Sequence, residues 1–133
     1  MALNPKLAVA NRNAALDAAL ALGSGAKMRI YDGTQPTDAD TALGAQTMLV
    51  ECAMSSTPFA AASGGSAAAN AISNGTIAAT GTATWGSLLT SGNVRKFDFS
   101  VATSSANLNV DSVALSSGAT FAVSSFTVTM AAG

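Results

Sequence analysis

The amino-acid sequence predicts a mainly β protein, an antiparallel β-sandwich or jelly-roll-like domain with one N-terminal α-helix. Three observations carry that prediction. Apolar residues recur at helical spacing over residues 4–22 only. From Ala26 onward the period falls to about two, the alternation of half-buried strands. Turn-forming residues then interrupt the chain at intervals of about 8–12 residues, dividing it into roughly seven or eight short strands, the pattern of sandwiches and jelly rolls. No repeat of solenoid length recurs. Residues 1–25 read as helix and connector, and residues 26–133 as a single β-sandwich domain with a long loop over 32–45.

Each element has a local cause. Asn4 is placed to cap the helix and Pro5 to open it, where a missing N–H costs nothing. Leu3, Leu7, Ala10, Ala14 and Ala18 form one stripe, Val9, Leu16 and Leu20 a neighbouring one, and Gly23 is positioned for a left-handed cap. Ala26, Met28 and Ile30 then alternate with Lys27, Arg29 and Tyr31, a strand with one charged face. Residues 32–45 are polar and contain Pro36, hence a loop. A strand follows over Gln46 to Ala53, then a short segment around Phe59 to Ala62 that turns at Ser63-Gly64-Gly65. Asn74-Gly75 is the preferred pair for a type I′ hairpin, which sets Ile72 opposite Ile77 and sends Thr76 to Trp85 back as one strand. Phe97, Phe99 and Val101 mark the next strand. The apolar phase slips near Asp111-Ser112 and again between Val123 and Phe126, which predicts bulges or strands that change sheets.

Composition narrows the function classes. Ala, Gly, Ser and Thr occupy 72 of the 133 positions, and 30 of these are Ala. A buried Ala contributes far less than the roughly 1.5–3 kcal/mol of a buried Leu or Phe, so the core is lean and gains from shared burial. Net charge is −1, which favours association. Six cations are dispersed among seven anions, with only Arg95-Lys96 adjacent, so no nucleic-acid footprint is present. Asn11, Asn13 and Asp17 interrupt any signal-peptide core, and no stretch matches a membrane span, so a soluble protein made in the cytosol is expected. Cys52 is the single cysteine, in an alternating run that predicts a buried structural thiol.

The candidate chemistry is sparse. The chain has no histidine, which removes imidazole bases and imidazole metal ligands. Asp38 and Asp40 form the densest acidic spot, but a polar loop fixes no geometry for acid–base work. With Asp32 they offer oxygens to a calcium ion, without EF-hand spacing. Gly23-Ser24-Gly25 follows a helix and reads as connector. The Asn74-Gly75-Thr76 sequon reads as a turn. Trp85, the single tryptophan, is either the anchor of an Ala-rich sheet or a platform for a sugar or a neighbouring subunit. Tyr31, Asp38, Asp40, Trp85, Arg95 and Lys96 are the candidate interaction residues. Nothing in them points to an enzyme, a metal or a cofactor.

Several segments together resemble a family of small virion structural proteins of tailed bacteriophages. They are the N-terminal Ala/Leu helix, K-M-R-I-Y-D-G-T-Q-P at 27–36, G-T-A-T-W at 81–85, A-N-L-N-V-D-S-V-A-L at 106–115, and S-S-G-A-T-F-A-V-S-S-F-T-V-T-M-A-A-G at 116–133. The resemblance implies a non-enzymatic capsid decoration (cement) protein that bridges major capsid subunits in the virion. Its expected partners are the major capsid protein and copies of itself, a trimer by preference, with no nucleic acid, membrane or small-molecule substrate. Loop 32–45 and the helix are the expected contact elements. The alternatives are a tail or head–tail connector component, and a host-glycan-binding module built on Trp85.

Overall fold

Five strands, paired side by side, form the body on which the rest of the chain rests. The computed structural model describes residues 6–130. In chain order the elements are α1 (Val9–Ala19), β1 (Lys27–Tyr31), β2 (Met48–Ala53), β3 (Ser66–Ala68), β4 (Gly75–Thr76), β5 (Gly81–Thr82), β6 (Trp85–Leu89), β7 (Arg95–Ala102), β8 (Leu108–Asn109), β9 (Ala114–Leu115), β10 (Thr120–Phe121) and β11 (Thr127–Thr129). The main sheet has the order β2-β1-β6-β7-β8, antiparallel except for the parallel β7–β8 contact. Three two-stranded ribbons, β10–β4, β11–β3 and β5–β9, accompany it. The protein is therefore mainly β with one helix, as its periodicity predicts.

Residues that pair directly across a sheet share a face. On one face Met28 stands opposite Cys52 and Leu88, Ile30 opposite Val50 and Gly86, and Gly86 opposite Phe99. These side chains join Ala67, Ile77, Leu115, Phe121 and Phe126 from the ribbon segments, and Leu16 and Leu20 from the helical end, in one apolar cluster. The other face carries Arg29, Glu51, Tyr31, Ser87, Trp85 and Asp98.

Both phase slips fall where the chain changes partners. Leu108 adds to the main sheet beside Val101, whereas Ala114–Leu115 pairs with β5. Thr120–Phe121 pairs with β4, and Thr127–Thr129 with β3. A strand that leaves one sheet for another must present a different side to the core, so its apolar residues shift phase.

Other expectations are corrected. Asn74-Gly75 is not a hairpin turn, because neither residue has positive φ. Gly75 opens β4 and lies against β2, where an added Cβ would come within 2.5 Å of the Glu51 carbonyl oxygen and 3.0 Å of Cys52 Sγ. The glycine serves close approach, not turn geometry. The expected single strand from Thr76 to Trp85 is broken into β4, β5 and β6, which belong to three different sheets. Phe59 forms only an isolated bridge to Ala69. The long irregular segment runs over 32–47 between β1 and β2.

The helix is shorter than residues 4–22 and docks through Leu16 and Leu20 of the second expected stripe, while Val9 and the alanine stripe stay exposed. Leu3, Asn4 and Pro5 lie outside the described residues, and Ala8 occupies the N-cap position. Leu20 ends the helix, so the positive φ of Gly23 belongs to the connector beyond it. Ala10, Ala14 and Ala18 face solvent. The docking face is Asn13, Leu16, Asp17 and Leu20. Asn13 Oδ1 accepts from the Gly65 amide at 2.9 Å, and Asp17 Oδ1 from the Ala62 amide at 2.8 Å. Burial of Leu16 and Leu20 supplies about 1.5–3 kcal/mol each. The turn before β3 thus receives its hydrogen-bond partners from the helix.

Gly86 fixes a second close approach: a Cβ there would lie 2.6 Å from the Phe99 ring and 2.9 Å from the Arg29 carbonyl oxygen. Gly75→Ala and Gly86→Ala are each expected to cost at least about 1–3 kcal/mol through overpacking. Asn74→Ala is expected to stay within about 0.5 kcal/mol. Urea unfolding of the three variants checks this, and a cost for Asn74→Ala as large as that for Gly75→Ala would point to a hairpin turn at 74–75 instead.

Candidate interaction surface

The sheet face opposite the apolar core gathers four of the six candidate residues. Tyr31 on β1 and Trp85 on β6 are directly paired, and their rings stack with centroids 4.5 Å apart and planes 13° from parallel. The Trp85 Nε1–H donates to the Asp32 carbonyl oxygen at 3.0 Å. Neither ring is a surface platform: Trp85 has no accessible surface and Tyr31 is buried. Of the two expectations for Trp85, its burial and its bond to Asp32 suit an anchor of the sheet.

Arg95 reaches this face because of a bulge. Phe97 pairs with Leu88 and Arg95 with Leu89, which leaves Lys96 as an extra residue in β7. Regular alternation would put residues three apart on opposite faces; the bulge puts Arg95 and Asp98 on the same one. The Arg95 Nη2 donates to Asp98 Oδ2, and Nε reaches Oδ1 at 3.4 Å. The two side chains are only 11% and 3% exposed. The guanidinium carbon also lies 5.5 Å from the Trp85 ring centroid, within cation–π range.

The remaining Arg95 donors hold the loop over 32–47. Nη1 donates to the Thr41 carbonyl oxygen and Nη2 to that of Asp38 at 3.3 Å. Asp38 shapes the turn that presents those carbonyls. Its Oδ1 accepts from the Thr41 hydroxyl at 2.8 Å, the Thr41 amide at 2.9 Å and the Asp40 amide at 3.1 Å. The Thr41 hydroxyl first, then the Thr41 and Asp40 amides and the Arg95 charge, hold the Asp38 carboxyl below its ordinary pKa. Asp32 closes the loop base: its amide donates to the Thr47 carbonyl oxygen at 3.1 Å, and its Oδ1 accepts from the Thr47 amide at 2.6 Å. Asp32, Asp38 and Asp40 therefore serve separate backbone tasks. Among the described residues no group of three or more Cys, Asp and Glu side chains is placed to hold a metal ion.

A second polar cluster flanks the first. Arg29 Nε donates to Glu51 Oε1 at 2.7 Å, and Asn93 Oδ1 accepts from both Lys27 Nζ and Arg29 Nη2. Burial opposes the Arg29 charge, but hydrogen bonds to Glu51 and Tyr31 outweigh it and raise the pKa. Ser87 stands directly opposite Arg29 and Asp98, is fully buried, and its Oγ has no hydrogen-bond partner. Cys52 lies on the apolar face, where burial pushes its thiol up and keeps it neutral.

Asp40 and Lys96 stay outside the cluster: Asp40 contributes a backbone amide, and Lys96 is exposed. Sequence reasoning missed Asp98, Thr41 and Ser87, and it offered Asp32 only as a calcium ligand, not as the clasp of the loop base. Regular alternation puts Asp98 on the polar face but Arg95 on the apolar one, so only the bulge at Lys96 shows that the two meet. No helix of the described residues is long and apolar enough to cross a membrane. No known protein family, curated protein or solved structure matches this chain.

Two outcomes follow from the site. Arg95→Ala is expected to cost about 3–5 kcal/mol, because it strands a buried Asp98 carboxylate, while Lys96→Ala and Asp40→Ala stay within about 0.5 kcal/mol in denaturant melts. Folding lowers the Asp38 pKa, so its stabilising contribution is complete above about pH 4 and is lost as pH falls through the lower folded value. NMR shifts of the Asp40 and Thr41 amides should report that midpoint below the ordinary aspartate range, and Asp38→Asn should abolish it.

Proposed function

We propose that this chain is a non-enzymatic structural protein of a tailed-bacteriophage virion, and that it acts as a capsid decoration (cement) protein bridging major capsid subunits. The observation that carries this reading is where apolar surface stays uncovered. Leu7 and Val9 at the start of α1, Leu43 in the long loop and Val94 between β6 and β7 are 40–51% exposed. Ala10, Ala14 and Ala18 extend the helix patch with side chains small enough for a partner to approach closely. The exposed apolar positions thus lie mainly on the two elements, loop and helix, that the sequence offers as contacts. Exposed apolar patches are a usual mark of a protein–protein surface.

The charged groups fit an architectural part. Asp38, Arg95 and Asp98 are spent holding the loop to the sheet, and the Tyr31–Trp85 pair lies beneath it. In this reading the three ribbons act as the second layer of a β-sandwich over the five-stranded sheet. The partners are the major capsid protein and other copies of this chain, as a trimer. Modest contacts repeated over a capsid lattice add up to a large gain in particle stability. The chain is made in the bacterial cytoplasm and works in the virion.

Purified protein mixed with undecorated capsids tests the proposal. Binding and a higher temperature of DNA release are expected, with binding weakened at least tenfold (about 1.4 kcal/mol) by Leu43→Glu or Ala14→Arg at unchanged fold. Failure of the native chain to bind capsids, together with its recovery in isolated tails, would replace this reading with a tail component.

A further inference from the structure

The segment 33–46 lies over a buried aromatic pair, Tyr31 and Trp85, yet fully buries none of its own side chains. None of its residues is buried, and only Pro36, Ala39 and Gln46 are half-buried. Beneath it Trp85 and Tyr31 are sealed from solvent. A cover of this kind ordinarily docks through buried apolar side chains; this one buries none fully, and hydrogen bonds fasten it. Thr84 Oγ1 donates to the Gly33 carbonyl oxygen at 2.6 Å at one end, and Arg95 holds the Thr41 and Asp38 carbonyls in the middle.

The segment is also bonded within itself. Asp38 closes the 38–41 turn. Gln46 accepts from the Gly44 amide at 2.7 Å and donates to the Thr34 carbonyl oxygen at 2.6 Å. Both ends are pinned by the Asp32–Thr47 bonds, and Gly33 beside that base has a φ of +75°. Arg95 itself stays with the sheet through Asp98. The bonds that would break on lifting the segment are therefore few, and they are separate from those that keep it folded on itself. The unpartnered Ser87 hydroxyl lies on the same covered face, where water reaching it would satisfy it.

We infer that residues 33–46 form a strap, latched by Arg95, which lifts from the sheet as one unit while the sheet stays folded, uncovering Tyr31 and Trp85. The open strap presents an aromatic pair and two free Arg95 donors that the closed form conceals. Local opening of this kind is expected where few apolar contacts hold a segment whose backbone bonds are solvent-exposed.

Hydrogen exchange on the full chain tests the strap directly. The Trp85 indole N–H, sealed beneath the closed strap, should exchange about 100-fold faster or more than the amides of Ile30 and Leu88. As the sole tryptophan, Trp85 supplies a second readout. Asp38→Ala removes an exposed side chain that shapes the latch turn, and Arg95→Lys keeps a charge beside Asp98 while losing the fork. Each should raise acrylamide quenching of Trp85 severalfold, with far-UV circular dichroism unchanged. An indole N–H that exchanges only at the rate of the sheet amides would overturn the inference. So would Trp85 quenching that stays at the wild-type level in both variants until global unfolding.

Discussion

The Arg95–Asp98 pair is the interaction on which the rest of this structure depends. A guanidinium and a carboxylate, both nearly buried, are taken from water and repaid only if their geometry is good and their spare donors are used. Here the spare donors go to the loop carbonyls and the flat cation lies over Trp85. One side chain therefore joins the sheet, its aromatic pair and the long loop. Lysine offers no equivalent, because its single ammonium lacks the planar fork. The bulge at Lys96 makes the arrangement possible, since without it Arg95 would point to the apolar face.

The two faces of the sheet solve different problems. The apolar face is covered by the ribbon segments, and it compensates for small side chains by close approach. Gly75 lets β4 lie on β2, and Gly86 lets the Phe99 ring cross β6. The other face is covered by chain that contributes little apolar area, so it is held by ion pairs and hydrogen bonds, with Ser87 left unpaired among them. A protein rich in Ala, Gly, Ser and Thr reaches tight packing on one side and polar fastening on the other.

Much of this was legible in the residues. The alternation in Lys27 to Tyr31 and in Phe97 to Val101 marked β1 and β7, and the two phase slips marked the places where strands change sheets. Three features were not. Asn74-Gly75 carries the strongest local hairpin signal in the chain, yet Gly75 is there to clear the Glu51 carbonyl, a contact no local rule contains. The central strand β6, Trp-Gly-Ser-Leu-Leu, is buried on both faces and so shows no alternation. On the helix, Asn13 and Asp17 look like interruptions of an apolar stripe, but they are the anchors, because they supply acceptors to the turn before β3. At the site, four of six candidate residues converge, whereas Asp98 was hidden by a bulge that shifts its face relative to Arg95.

These features make the long loop and the exposed helix face the parts of the molecule free to meet neighbours, with the sheet as their rigid support. All of that rests on Arg95 and Asp98 acting as a unit and not as two independent surface charges. A double-mutant cycle over Arg95→Ala and Asp98→Ala, read as unfolding free energies, measures this most directly. The account predicts a coupling of about 2–3 kcal/mol. Additivity within about 0.5 kcal/mol would contradict it.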